Sequence, residues 1–454
     1  MSGPEREPGD DTEDEIDVDD LPPLATGSPE APIPIRVAVD NAWRDDLDMT
    51  VLAGGISKPK SSQRNAILAL SRCPDWAGVV SYDSFRDRVR ISLPPWSSLE
   101  APAESHDTWT DTDTTRLEVW LERELGVAFS RDKCEAAISA HAESRARHAV
   151  REFLDALKWD GVPRVDGLFH SYFGAEASDY TRAVSTSFMV GAVARVMRPG
   201  CQLDTLPILE GDQGIGKSSA VRALAGEWFS DSTIDFGSKD SYQQLLGVWI
   251  YELSELDALN RRDVARVKAF ISAPSDRYRP SYGRRVIDVP RQLAFIGTTN
   301  ADRYLSDDTG ARRFLPIKCG TIDLASIKRD RPQLWAEAFH RFRKGEQWHL
   351  TAPRALDAAI EQEERRIPDP WEENVEKWLK GRIDGAKPVT VTDVLNGLDI
   401  APCDHDKFRA MRVSSSLKIL GWEHHRVMVD GERRWRWFPP DHPDRLSGWF
   451  DPKS

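Results

Sequence analysis

The sequence predicts an α/β protein built on a P-loop core, with a helical subdomain before it and a winged-helix domain after it. Three observations carry that reading. A glycine-rich loop joins a strand pattern to a helix pattern, two further apolar strands end in polar residues, and the chain closes on helices followed by a basic hairpin.

The loop lies in "LPILEGDQGIGKSSAVRALAG", residues 206–226. Glycine costs conformational entropy wherever it is ordered, so a cluster of glycines needs a local reason. Gly211, Gly216, Lys217 and Ser218 fit the spacing G-x-x-x-x-G-K-[ST] of a phosphate-binding loop. Leu206 to Leu209 read as the strand before it, and Ser218 to Leu224 as the first turns of the helix after it. Without bulky side chains, Gly211, Asp212, Gln213, Gly214, Ile215 and Gly216 can turn their N–H groups toward an anionic chain. The helix that starts at Lys217, Ser218 and Ser219 points its positive end at the same charge. This pattern predicts a nucleoside triphosphate, ATP with Mg2+. Lys217 would lie on the outer phosphates, and the Ser218 hydroxyl on the metal.

Two apolar runs follow. "LLGVWIYELSEL" (245–256) ends in Glu252 and Glu255, placing carboxylates where a metal and an attacking water would lie. Glu252 is the second candidate metal ligand, and which of the two is the base stays open. "RQLAFIGTTN" (291–300) ends in Asn300, a neutral amide able to orient water beside the outermost phosphate. "YLSDDTGARRFLPIKC" (304–319) then supplies Arg312 and Arg313, whose planar, permanently charged groups suit a developing phosphoryl charge. Between the two runs, residues 261–291 hold nine basic and three acidic residues. A helix through Lys268 to about Ser272 is expected there, then a hairpin with Tyr282-Gly283 at its turn and Arg284 and Arg285 at its tip. Such a tip suits a single strand of DNA, with tyrosines to stack on bases.

The C-terminal run, 387–440, reads as a short strand, two or three helices and the hairpin "HRVMVDGERRWRWF" with Asp430-Gly431 at its turn. Its second helix, about 405–419, offers Lys407, Arg409, Arg412 and Lys418, and the wing offers Arg433, Arg434 and Arg436, for duplex DNA.

Composition narrows the setting. The formal net charge of −13 is uneven, because residues 1–36 hold eleven acidic and two basic residues. That proline-rich acidic segment is expected to be a disordered tail. Five scattered cysteines without a C-x-x-C pair argue against a disulfide framework or a zinc site. The longest apolar stretch, "FMVGAVARVM", is interrupted by Arg195 and too short to span a bilayer. No membrane partner and a cytoplasmic location are therefore expected. The expected organisation is tail (1–36), an α+β region (37–129), helical subdomain (130–202), P-loop core (203–352), helical linker (353–370), winged-helix-like domain (371–442) and a short tail (443–454).

Taken in order, G-x-x-x-x-G-K-S, "ELSEL", "VKAFISAPSDRYRPSYGRR", "FIGTTN" and "YLSDDTGARRFLPI" resemble the virulence-associated E family of phage and mobile-element ATPases. That family is related to the superfamily 3 helicases of the AAA+ group, and with "REFLDALKWDGVPRVDGLFHSYFGA" the likeness runs over roughly 55–345. The resemblance implies an AAA+-like ATPase core in a hexameric ring that moves on DNA during replication. It makes Glu252 with Glu255 the acid group and Asn300 the polar sensor. Arg312 or Arg313 becomes a finger reaching the neighbouring subunit, and Arg284 and Arg285 the DNA-contacting tip. Replication proteins of a host or element would be further partners. Many relatives carry a primase domain upstream, but the residues before the helical part show no metal-binding acidic trio. The competing reading is a nucleotide-switched DNA-binding or assembly protein that does not translocate.

Overall fold

The computed structural model describes residues 41–52, 54–96, 107–235, 239–254, 261–279, 285–305, 311–382, 387–429, 432–440 and 442. The acidic tail, Glu255, Arg284, the tail at 443–454 and the turns Tyr282-Gly283 and Asp430-Gly431 lie outside the described residues.

The N-terminal unit begins with the antiparallel pair β1 (Met49–Val51) and β2 (Ser57–Pro59) and helix α1 (Gln63–Arg72). The antiparallel hairpin β3 (Val80–Asp83) and β4 (Arg88–Ile91) comes next. Helix α2 (Asp111–Leu125) starts at a capping box in which Thr110 and Asp113 satisfy each other's amides, and it ends at left-handed Gly126. Helix α3 (Arg131–Glu143) follows, then β5 (Ala146–Arg147), parallel to β3. The helical subdomain expected over 130–202 is therefore interrupted at β5. Moreover, Cys134, Ala137, Ile138 and Ala142 of α3 bury themselves with Leu117, Leu121 and Trp76 of this unit. Packing thus carries the N-terminal unit past residue 130, where the sequence reading begins the helical subdomain.

Helices α4 (Ala149–Ala156) and α5 (Asp179–Met197) lead into the central sheet. Helix α5 is apolar nearly all round and is buried nearly all round, which is how such a helix must sit. The sheet and its connections comprise β6 (Leu206–Glu210), α6 (Lys217–Ala225), β7 (Phe229–Ser230), α7 (Lys239–Gln243), β8 (Ile250–Leu253), α8 (Arg261–Ser272), β9 (Ser275–Tyr278), β10 (Ile287–Pro290), β11 (Ala294–Thr299) and β12 (Phe314–Lys318). Five strands pair in the order β12-β6-β11-β8-β7, every neighbour parallel. β9 and β10 form a separate antiparallel hairpin.

Both faces of this sheet are covered, as parallel sheets require. Leu209, Ile250, Ile296, Leu315 and Ile317 face α5, α6 and α9 (Leu324–Arg343). Leu206, Ile208, Tyr251, Leu253, Phe295 and Phe314 face the layer holding Val267, Phe270 and Ile271 of α8. Leu206, Ile208, Leu209, Ile296 and Leu315 have no exposed surface, and each such burial is worth about 1.5–3 kcal/mol.

Helices α10 (Ala352–Glu364) and α11 (Pro370–Gly381) connect to α12 (Val391–Gly397), α13 (Lys407–Ile419) and the hairpin β13 (Glu423–Val429) and β14 (Glu432–Phe438). The order of helices and then hairpin matches the sequence expectation. Val375, Val394, Val413, Leu417 and Trp437 form this unit's own core.

Candidate functional site

In a parallel sheet the loops after the strands converge at the carboxyl edge, and ligands bind where successive connections diverge. From β6 the chain runs out to edge strand β7, returns through β8 and β11, then crosses to β12 on the far side of β6. The divergence falls at β6 and β11, directly below the glycine-rich loop.

The loop's conformation explains its composition. Gly211, Gly214 and Gly216 have φ of 143°, 85° and 94°, which side chains with a Cβ rarely adopt. At Gly211 a Cβ would stand 2.8 Å from Ile215 Cδ1. Gly216 caps α6 without any side-chain bond, so the helix presents its first N–H groups and its positive end to the cleft. That cleft, about 310 Å³, is lined by loop residues from Gln213 to Ser219 and by Ser254, Thr298, Thr299 and Asn300.

Alternation along the strands selects the side chains that meet there. Glu252 shares the α6 face of β8 with Ile250, and Thr298 shares the same face of β11 with Ile296. Glu252, only 1 % exposed, accepts hydrogen bonds at Oε1 from Ser218 Oγ (2.6 Å) and Thr298 Oγ1 (2.8 Å). Its Oε2 is buried and has no hydrogen-bond partner among the described residues. Lys217 Nζ donates to the carbonyls of Gly211 (2.6 Å) and Asp212 (2.9 Å) and to Asn300 Oδ1 (2.9 Å). Burial holds its ammonium below the usual lysine range. Sequence-predicted Lys217, Ser218, Glu252 and Asn300 therefore stand together, although they come from three separate stretches. Thr298, two residues before Asn300, is a member that the sequence reading did not assign.

A second cluster under the loop has no sequence signal. Glu210 alternates to the opposite face from Leu209, where it accepts from Tyr304 Oη (2.8 Å) and from Arg365 Nε (2.9 Å) and Nη2 (3.0 Å). The partners are 94 and 155 residues away, beyond any local pattern.

Arg312 and Arg313 lie at the opposite edge of the sheet. They precede Phe314, the residue paired with Leu206 at the amino end of β6, so a five-residue strand of ~17 Å separates them from their own chain's loop. Arg312 is exposed, and Arg313 Nε donates to Ser272 Oγ at the end of α8 (2.7 Å).

The β9–β10 hairpin leaves from that same edge with Arg285 exposed. Its base is fixed by Arg291, which pairs with Asp276 (Nη2 to Oδ1 2.7 Å) and lies 4.3 Å over the Phe270 ring. Lys268 and Arg291 are both buried. Two of the nine basic residues in this stretch are thus structural, and its exposed charge is smaller than the sequence count.

The C-terminal basic residues also divide. Arg412, expected on a DNA-facing surface, is engaged inside the unit: Nε donates to Asp369 Oδ2 (2.9 Å), Nη2 to Oδ1, and the guanidinium stacks on Trp371 at 4.2 Å. Arg409 bonds Asp406 Oδ2 (2.9 Å) and the Asp404 carbonyl (2.8 Å). Lys407 and Lys418 are exposed. In β14, Arg434 pairs with Glu432 (2.9 Å) and Arg436 with Asp393 (3.4 Å), while Arg433 is exposed on the other face.

Among the described residues, no group of three or more His, Cys, Asp or Glu side chains is placed to hold a metal. None of the described helices is long and apolar enough to cross a membrane.

Among curated proteins, none matches this chain. Solved structures similar to it include the A-form apo structure of the NrS-1 C-terminal region (305–718), with 11 % identity and a TM-score of 0.44 over 79 % of this chain and 95 % of that one. An apo structure of the same region gives 14 % identity and a TM-score of 0.40 over the same shares. A model of the virulence-associated protein E-like domain matches residues 154–367, from the end of α4 through the whole central sheet to just past α10. The match begins well after residue 55, so the N-terminal unit lies outside it, and it contains every member of the cleft. Residues 154–367 of this chain are a virulence-associated protein E-like domain.

Proposed function

We propose that this chain is an ATP-hydrolysing DNA motor, a helicase or origin-melting protein that serves replication of a phage or mobile element in the cytoplasm. The observation that carries the reading is the convergence of Lys217, Ser218, Glu252 and Asn300 around a glycine loop and a bare helix N-terminus. Backbone N–H groups and Lys217 would cradle the phosphates, and Asn300 would orient the attacking water.

The residues also fit Mg2+. Ser218 offers a hydroxyl, and Glu252 offers a buried carboxylate oxygen that no hydrogen bond from the described residues satisfies. When bound, the ion would neutralise charge building on the phosphates. Glu252 Oε1 holds Ser218 and Thr298 in register. Glu255 stays a second candidate acid.

Arg312 or Arg313, too far from their own chain's loop, suit a finger that acts on a neighbouring subunit in a ring, a hexamer by the family likeness. The β9–β10 tip with Arg284 and Arg285 would follow single-stranded DNA. The C-terminal unit would be a winged helix holding duplex through Lys407 and Lys418, with Arg409 and Arg412 supporting that surface from within.

ATP turnover measured with and without single-stranded DNA tests this. Lys217→Ala should cut hydrolysis by roughly a hundredfold or more, as removal of one transition-state donor typically does. Glu252→Gln should keep nucleotide binding while crippling turnover. Near-normal turnover in Lys217→Ala would end the reading. Slow hydrolysis indifferent to DNA would favour the nucleotide switch without translocation.

A further inference from the structure

We propose that one face of the C-terminal hairpin is a stacking platform for the unpaired bases of single-stranded DNA, centred on Trp435. This rests on the C-terminal unit being a DNA-binding part of the protein, and it adds a ligand class that a duplex-holding wing does not need.

The pairing register sorts the hairpin's side chains. His424 stands opposite Trp437, Arg426 opposite Trp435, and Met428 opposite Arg433, so these six share one face. The other face carries Glu423, Glu432, Arg434 and Arg436, and it buries Val427, Val429 and Phe438. Among the described residues of the hairpin, acidic side chains therefore occur on one face only. Arg426 and Arg433 stand on the face without them, and both are exposed.

The aromatic geometry points the same way. Trp437 is 5 % exposed and anchors the platform in the unit's core. His424 stacks on Trp437 (4.6 Å, 17° between planes) and on Trp435 (4.7 Å, 28°). Trp435 itself is 54 % exposed. Tryptophan usually buries most of its large apolar surface, so a ring held in place by a stack yet left open is placed for a partner. Flanked by Arg426 across the strands and Arg433 toward the turn, it offers a π-face between two phosphate-binding cations. A single strand supplies both a base to stack and phosphates at its sides, whereas a paired duplex hides its base faces.

The test uses the full chain without nucleotide and measures anisotropy of a labelled oligothymidine and a labelled duplex. Trp435→Ala should weaken single-strand affinity roughly tenfold to a hundredfold, the range for loss of one stacked base. Trp435→Phe should retain most of the affinity. Arg426→Gln with Arg433→Gln should lower the salt dependence of single-strand binding by about one ion or more. A strand carrying 5-iododeoxyuridine should photocrosslink to the peptide that contains Trp435. Duplex affinity should not change in Trp435→Ala or Trp435→Phe, and basal ATP turnover should not change in any of these variants. Single-strand affinity untouched by Trp435→Ala, an equal loss for duplex, or crosslinks confined to other peptides would overturn the proposal. Failure of the ATPase reading would instead show in Lys217→Ala and leave these binding results as they are.

Discussion

His141 shows how the environment of a single residue becomes a property of the protein. It is 1 % exposed in the N-terminal unit, with Ser71 Oγ 3.1 Å from Nδ1 and the Arg145 guanidinium beside the ring. Burial, and then the positive charge of Arg145, push its pKa down to about 4. The unfolded imidazole titrates near 6.5, so between these values the unfolded chain binds more protons than the folded one. Stability should therefore fall as pH drops from about 6.5 toward about 4, by a few kcal/mol, and be fully present above that window. Denaturant midpoints at neutral pH and near pH 5, followed by fluorescence of the Trp76–Trp96–Trp120 cluster, check this. His141→Gln should flatten the acid-side loss. An unchanged pH profile in that variant would show that another group is responsible.

Between elements, the informative contacts run from β6 to the C-terminal helices. Glu210, next to the first loop glycine, is held by Arg365 at the end of α10. The adjacent Arg366 pairs with Glu372 at 2.6 Å, and Glu372 completes a capping box with Asp369 at the start of α11. Asp369 in turn holds Arg412 of α13. Ion pairs thus join the glycine-loop strand to the C-terminal unit, and the half nearest the loop is buried. Removing one partner of a buried pair leaves the other charge desolvated and alone. Arg365→Met should therefore destabilise the protein by roughly 3–5 kcal/mol. Adding Glu210→Gln should restore a good part, since the carboxylates then left without Arg365, those of Glu361 and Glu364, reach solvent. Urea midpoints of the single and double variants measure both effects. A double variant no better than the single one would assign the loss to packing.

At the scale of the whole molecule, the sheet separates two sets of residues. Loop, Glu252 and Asn300 occupy its carboxyl edge, while Arg312, Arg313 and the β9–β10 hairpin occupy its amino edge. A finger on the amino edge acts only if a neighbouring copy brings it to another loop. Mixing inactive Lys217→Ala with inactive Arg313→Ala subunits should then restore part of the ATP turnover, with Arg312→Ala as the companion experiment. Complete inactivity at every mixing ratio, with both variants folded and co-assembled, would count against a finger acting between subunits.

What the sequence by itself determined is local. The loop glycines, the strand that precedes them, the polar tips of β8 and β11 and both hairpins each express a period or a turn chemistry within some twenty residues. Those patterns were enough to bring Lys217, Ser218, Glu252 and Asn300 into one reading. Glu255 and Arg284 fall outside the described residues. Only the tertiary structure decided which charges are free, because a charge is neutralised by whatever the fold places beside it. Arg412 finds Asp369 across 43 residues, and Glu210 finds Arg365 across 155. Arg291, counted as surface charge in the sequence, closes on Asp276 inside the hairpin base. The same holds for α3, whose helical pattern was legible but whose burial among the N-terminal tryptophans was not. A helix's period says that it has an apolar face, and only packing says what that face covers.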